Sequence, residues 1–146
     1  RMENMGIEPF LICSSVLAMV AQRLLRRICP ECKESQSISP AVAERVGLSQ
    51  VISLKKIQLF RGKGCKRCFH TGYKGRVGIT EILVFSSKIK DLVLERAGEF
   101  KIKDAARREG MKTMRQDGLA KAVAGLTTLE EVLRVTVCDE ELEQGG

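Results

Sequence analysis

The sequence predicts an α+β chain organised around two cysteine clips and finishing in a helical last third. Three observations carry this reading. Cys29-Pro30-Glu31-Cys32 and Cys65-Lys66-Arg67-Cys68 frame a loop-rich middle; Arg76 to Phe85 is a run of β-branched and apolar residues suited to a strand; and the stretches after Ser86 carry repeated helix start and stop signals. The 146 residues, 44% hydrophobic and 29% charged, suffice for one domain of ordinary size or one domain with a small insertion.

Taken in order, Pro9 suits a first helical position, and Phe10, Cys13, Leu17, Val20, Leu24 and Ile28 recur at spacings of three and four. This predicts one long helix, with Arg23, Arg26 and Arg27 near its end and Pro30 stopping it inside the first clip. Cys13 falls on the apolar stripe and reads as a small buried hydrophobe. A short helix from Ser39 or Pro40 to Val46 closes at Gly47, and Lys56 to Arg61 alternates as a strand running into Gly62 and Gly64. Thr71 to Gly75 supplies turn residues before the strand 76–85, which is expected to be buried over most of its length.

The last third predicts four helices. Ser86 or Ser87 caps the first, which ends near Gly98; the second runs from about Phe100 to Glu109. Thr113-Met114-Arg115-Gln116 opens the third, ended by Gly125, and Thr127 to Glu131 offers two overlapping capping boxes for the fourth, ending near Thr136. Short helices on short loops imply a small antiparallel bundle, and the acidic stretch 138–146 reads as disordered.

The net charge of +7 is unevenly placed. Asp139, Glu140, Glu141 and Glu143 lie in the tail with no Lys or Arg, while no carboxylate occurs between Arg45 and Thr80. That stretch carries Arg45, Lys55, Lys56, Arg61, Lys63, Lys66, Arg67, Lys74 and Arg76, so it could face an acidic protein, anionic lipid or nucleic acid, or simply be a solvated face. An aromatic content of 4% with no Trp is thin for base stacking. The longest uncharged run of the front half, Pro9 to Gln22, falls short of the roughly 20 residues of a membrane span. Arg23-Leu24-Leu25-Arg26-Arg27 stands where a signal peptide would need a small-residue cleavage site, so a cytosolic chain is expected.

Each C-x-x-C clip places two sulfurs on one side of a tight turn, and two such turns complete a tetrahedral shell at about 2.3 Å from a zinc ion. Cys29, Cys32, Cys65 and Cys68 therefore read as ligands of a structural zinc, with all four positions filled by protein and none left for water or substrate. A thioredoxin-type redox pair is the main rival. It needs a clip at a helix N-terminus, whereas Cys29 is expected at the C-terminal end of one. Two disulfides are the third reading. His70, the only histidine, is a spare ligand that four thiolates make unnecessary. No G-x-x-x-x-G-K-[ST], H-E-x-x-H or G-x-S-x-G occurs, so the chain is not expected to be a complete enzyme.

The segments MGIEPFLICSS, AQRLLRRICPEC, GCKRCFHTGYKGRVGITEIL and GMKTMRQDGLAKAVAGLTTLEEVLRVT, in one order over residues 1 to about 136, resemble the C-terminal part of the GspE/PilB-type ATPases that power type II secretion and type IV pilus assembly. The resemblance implies a fragment of a hexameric motor lying after the Walker A, Walker B and histidine segments. Residues 1–28 would be the terminal helix of a RecA-like core, 29–73 a zinc-binding insertion, 74–136 a strand plus closing helical subdomain, and 137–146 an acidic tail. It implies zinc on Cys29, Cys32, Cys65 and Cys68, with ATP and magnesium only in the full-length protein, so that this chain alone is inactive. It implies as partners the other subunits of a homo-hexamer and the inner-membrane platform and adaptor proteins of a secretion or pilus system, with anionic lipid a further candidate. The chain would then be cytoplasmic and peripheral to the inner membrane. Gln22 and Arg23 lie in a family-typical stretch, for which helix packing is the simpler role. A stand-alone zinc ribbon that binds nucleic acid is the alternative.

Overall fold

A computed structural model of the chain describes residues 5–51 and 57–136. The expectations for Lys55, Lys56 and the acidic tail lie outside the described residues. The elements are, in order, α1 (Pro9–Ser15), β1 (Ala18–Ile28), β2 (Lys33–Gln36), α2 (Pro40–Arg45), β3 (Leu59–Gly62), β4 (Tyr73–Val84), α3 (Ser87–Leu94), α4 (Glu99–Arg108), α5 (Met114–Val123) and α6 (Leu129–Val135). Single 3-10 turns occupy Pro30–Cys32, Leu48–Gln50 and Lys66–Cys68.

The chief correction concerns the start. The long helix expected up to Ile28 is only α1, and the chain then extends as β1. Phe10, Leu17, Val20 and Leu24 of the supposed core stripe are exposed, while Cys13, Leu25 and Ile28 are buried. A continuous apolar run fits either a helix face or a strand on spacing alone, and tertiary pairing decides. Here the partner is β4, 45 residues or more along the chain: β1 and β4 form a two-stranded sheet. The Phe85 N–H donates to Leu17 O at one end (2.9 Å) and the Cys29 N–H to Gly72 O at the other (3.0 Å), so the two strands run antiparallel. With only two strands, β4 is not buried over most of its length. Ile79 is buried, while Ile82 and Val84 stay exposed.

The chain divides into two compact units, residues 1–21 with 81–113 and residues 22–80 with 114–146. In the first, Ile12, Phe85, Ile89, Ala105 and Ala106 form the core, with Leu83, Leu92 and Ile102 packed against it. Ser86 caps α3, its Oγ accepting the Ile89 N–H at 3.2 Å. Cys13 is buried here as a thiol, its Sγ 3.5 Å from Lys90 O, in line with a packing role. In the second unit, Leu25, Ala43, Leu48, Leu59, Ile79, Leu119, Ala122 and Val132 make the core. Gly118 in α5 lets the Val132 side chain of α6 approach its backbone; a Cβ there would lie 2.8 Å from Val132 Cγ1. Of the last four helices, α3 and α4 belong to the first unit and α5 and α6 to the second.

Candidate metal centre

Two knuckles carry the cysteines. The first follows β1, where Cys29 leads into the Pro30–Cys32 turn; Pro30 opens that turn instead of ending a helix. The second is the Lys66–Cys68 turn after β3. Antiparallel pairing of β2 with β3, from Lys33 opposite Gly62 to Gln36 opposite Leu59, clasps them together. The Lys63 N–H donating to Cys32 O at 2.9 Å extends the pairing towards the cysteines.

Close backbone approach explains the glycines around the second clip. Gly62 and Gly72 meet backbone to backbone, and a Cβ on Gly62 would collide with the carbonyl of Gly72. Gly64 adopts φ +94°, where a Cβ would lie 2.8 Å from His70 O, and Gly72 adopts φ +77°. Only glycine takes both the space and these angles at low cost. Beyond Cys68 the chain turns through Phe69 (φ +51°) and His70 (φ +62°), left-handed positions that carry a cost of about 1 kcal/mol each for such side chains.

The result brings Cys29, Cys32, Cys65 and Cys68 together, their sulfurs all within 4.8 Å of one another. Sγ–Sγ separations are 3.9 Å for Cys29–Cys65, 3.8 Å for Cys32–Cys68 and 3.7 Å for Cys65–Cys68. A tetrahedron with about 2.3 Å metal–sulfur bonds has edges of about 3.8 Å. The cluster therefore has the size of a zinc tetrathiolate shell, and the four cysteines could bind a metal such as zinc. His70 is exposed and stands outside it. The described cysteines are free thiols, so the two-disulfide reading has no support in this geometry.

Backbone donors prepare the sulfurs for negative charge. Gly64 N–H donates to Cys32 Sγ at 3.3 Å, while Cys65 N–H and Gly72 N–H donate to Cys68 Sγ at 3.2 and 3.3 Å. Burial pushes the Cys68 thiol up, but the Cys65 and Gly72 amides and the neighbouring thiols outweigh it and bring it down to about 6. Burial also pushes Cys32 up, its one amide from Gly64 opposes this, and the neighbouring thiols raise it to about 12. The charge is thus favoured on Cys68 at the expense of Cys32, an imbalance that a divalent ion would relieve. The sequence argument against redox chemistry, a helix end at Cys29, does not hold because β1 replaces that helix. Convergence of both clips on one point takes its place, since a redox pair needs only its own two sulfurs.

The basic stretch is less free than it reads. Arg61 of β3 pairs with Glu34 of β2 (2.7 Å) and Arg67 of the second knuckle with Glu31 of the first (3.2 Å), so carboxylates ahead of the basic stretch neutralise part of it.

A second locus joins motifs that lie far apart in sequence. Glu131, 1% exposed, accepts from the Arg26 N–H (2.8 Å), Arg26 Nε (3.0 Å) and Nη2 (2.7 Å), and Arg134 Nε and Nη2 (3.0 Å each). Arg26 also lies 4.2 Å from the centre of the Tyr73 ring, whose hydroxyl shares a 2.9 Å hydrogen bond with Thr128 Oγ1. Thr128 caps α6 through the Glu131 N–H, and Thr127 Oγ1 donates to Arg26 O at 2.8 Å. Sequence reading placed Glu131 in a capping box; its position between Leu129 and Val132 was the available sign of burial. Arg23 Nη1 donates to Val135 O at 2.6 Å, a helix-end contact consistent with packing. From α5, Asp117 Oδ2 accepts from the Thr80 N–H of β4 (2.9 Å) and from Lys121 Nζ (2.6 Å), and Lys121 also reaches Gly78 O (2.7 Å).

Two clasped knuckles presenting four sulfurs, braced by a helical pair, define a tetracysteine metal-site module. The chain belongs to the type II/IV secretion system protein family, whose model matches residues 1–134. It is similar to the type IV pilus assembly ATPase PilB of Thermus thermophilus, 44% identical over 94% of this chain and 15% of that protein. It is likewise similar to the type II secretion system ATPase E of Vibrio cholerae, 44% identical over 93% of this chain and 26% of that protein. With the type II secretion system protein E of Aeromonas hydrophila the identity is 42% over 93% and 26%. The chain thus spans about a quarter or less of the length of these relatives.

Proposed function

We propose that this chain is part of a secretion or pilus-assembly motor ATPase, in which Cys29, Cys32, Cys65 and Cys68 hold one structural zinc ion. The four-sulfur geometry carries the metal part of the reading, and membership of the family carries the rest. Bound there, zinc would cross-link two knuckles 36 residues apart and neutralise their thiolate charge, with no coordination position open for a reaction. The chain's own part is to close the β2–β3 clasp and fix the loops that leave it. ATP and magnesium belong to segments that this chain does not contain, so the isolated chain is expected not to hydrolyse ATP.

The lobe serves protein contacts in this proposal, with neighbouring subunits of a homo-hexamer or with the platform and adaptor proteins at the inner membrane. No helix among the described residues is long and apolar enough to cross a membrane, which leaves a peripheral location compatible. Lys63 and Lys66 are exposed and have no carboxylate at ion-pair distance among the described residues, which supports them as contact residues. The nucleic-acid reading has less support, because Arg61 and Arg67 are occupied by Glu34 and Glu31. In a motor carrying this segment, K63E/K66E should weaken platform binding or platform-stimulated ATP hydrolysis at unchanged zinc content. Unchanged stimulation would overturn the contact role and leave the zinc reading standing.

A further inference from the structure

The four sulfurs are not equally protected. Cys29 and Cys68 are 0% and 3% exposed, whereas Cys32 and Cys65 are half-buried. Backbone amides divide the open pair further. Cys32 Sγ accepts the Gly64 N–H at 3.3 Å and Cys68 Sγ accepts two amides, but no backbone N–H among the described residues donates to Cys65 Sγ. Such bonds draw charge from a thiolate and lower its reactivity towards an electrophile. Cys65 is therefore the sulfur that is both reachable and electron-rich. A partner lies on the same turn. Cys68 Sγ is 3.7 Å away, closer than Cys29 Sγ at 3.9 Å, and an approach of about 1.7 Å would bring it to sulfur–sulfur bonding distance.

We propose that Cys65 is an oxidation site for peroxides, resolved by Cys68, so that the four-cysteine centre acts as a reversible, oxidant-sensitive lock on the β2–β3 clasp. The inference rests on the zinc reading of the four sulfurs and adds a chemistry to it. The Cys65 sulfur attacks one oxygen of hydrogen peroxide with its electron pair: an S–O bond forms, the O–O bond breaks, and the hydroxide that leaves takes a proton to become water. Cys68 Sγ then attacks the sulfur of the resulting sulfenic acid. The S–S bond forms, the S–O bond breaks, and a second hydroxide leaves as water with a proton from solvent. Two thiolates are thus oxidised by two electrons while one peroxide is reduced to two waters. Only Cys29 and Cys32 then remain as donors, too few for a closed shell, so a bound divalent ion is released. The closed knuckle also holds Phe69 and His70 in left-handed conformations, and its opening relieves that strain. A thiol reductant with fresh zinc reverses the change. This is one event at a structural site, distinct from the turnover of a thioredoxin-type pair.

The test treats the zinc-loaded chain with hydrogen peroxide beside a chromophoric zinc indicator, then maps disulfides after thiol blocking and tryptic digestion. Trypsin cuts after Lys63, Lys66, Arg67 and Lys74, so a Cys65–Cys68 bond joins peptides 64–66 and 68–74, whereas a bond to the first clip brings in peptide 28–33. One zinc should leave per disulfide formed, the Cys65–Cys68 bond should be the main product, and dithiothreitol with zinc should restore the metal content. C65H keeps four donors of a kind that structural zinc accepts and removes the reactive sulfur, so its zinc release should be at least about tenfold slower. C32H, which changes the amide-bonded sulfur, should release zinc at the parent rate. Should C65H fail to hold zinc, the disulfide map of the parent chain decides alone. Zinc retained under peroxide would overturn the proposal and leave the zinc reading standing. So would a bond between the two clips as the main product, or release from C65H as fast as from the parent. A chain without zinc before treatment would overturn both readings.

Discussion

Replacing Glu131 by Gln isolates the charge of the buried carboxylate while keeping its shape. Burial raises its pKa, but the hydrogen bonds from Arg134 and Arg26 outweigh it and hold the group at about 2 against an ordinary value of 4.5. A shift of that size corresponds to roughly 3 kcal/mol, and the half-exposed guanidinium partners reduce it to about 2–3 kcal/mol. Because the folded-state pKa is depressed, this stability is fully present above about pH 4.5 and is lost as pH falls towards about 2. The assay uses a probe already in place. Tyr73 is the only tyrosine in a chain without tryptophan, and its ring lies against Arg26. Urea unfolding of the zinc-loaded chain followed by tyrosine emission should show E131Q less stable by about 2–3 kcal/mol at pH 7. The gap between variant and parent should narrow as pH falls below about 4.5 and close near pH 2. A gap under about 0.5 kcal/mol at pH 7, or one that does not change with pH, would refute the reasoning.

Other outcomes follow from single contacts. G62A forces a methyl group into the Gly72 carbonyl, so the variant should bind zinc at least tenfold more weakly in a competitive chelator titration. G75A, where a Cβ meets nothing within 4 Å, tests for general glycine effects and should leave zinc binding unchanged despite its own φ of +81°. K121M removes the Nζ contacts to Asp117 and Gly78 while leaving the Thr80 N–H in place, and should cost about 1 kcal/mol in the same urea assay.

Local signals were legible where the chemistry is local. Ser39, Ser86 and Thr128 cap the helices they announce, because a hydroxyl before an apolar-periodic run satisfies a free N–H whatever else the fold does. The cysteine pairs met as expected, since each clip fixes its own two sulfurs and a shared ion needs both. The start of the chain was misread because Val16 to Ala21 is apolar without interruption, and its strand state depends on β4, which no local spacing reveals. The same limit hid the Arg26–Tyr73–Glu131 locus, whose members come from three distant segments. It also hid the pairing of Arg61 and Arg67 with Glu34 and Glu31: a stretch without carboxylates in sequence is not one in space.

The central claim is that one zinc ion on four sulfurs closes the two knuckles. Zinc K-edge absorption spectroscopy of the purified chain, with elemental analysis of the same sample, tests it most directly. The account predicts one zinc per chain and a shell of sulfur neighbours alone at about 2.3 Å. A nitrogen neighbour at about 2.0–2.1 Å would bring in His70 and contradict the four-cysteine site, and a metal-free chain of equal stability would contradict the zinc itself.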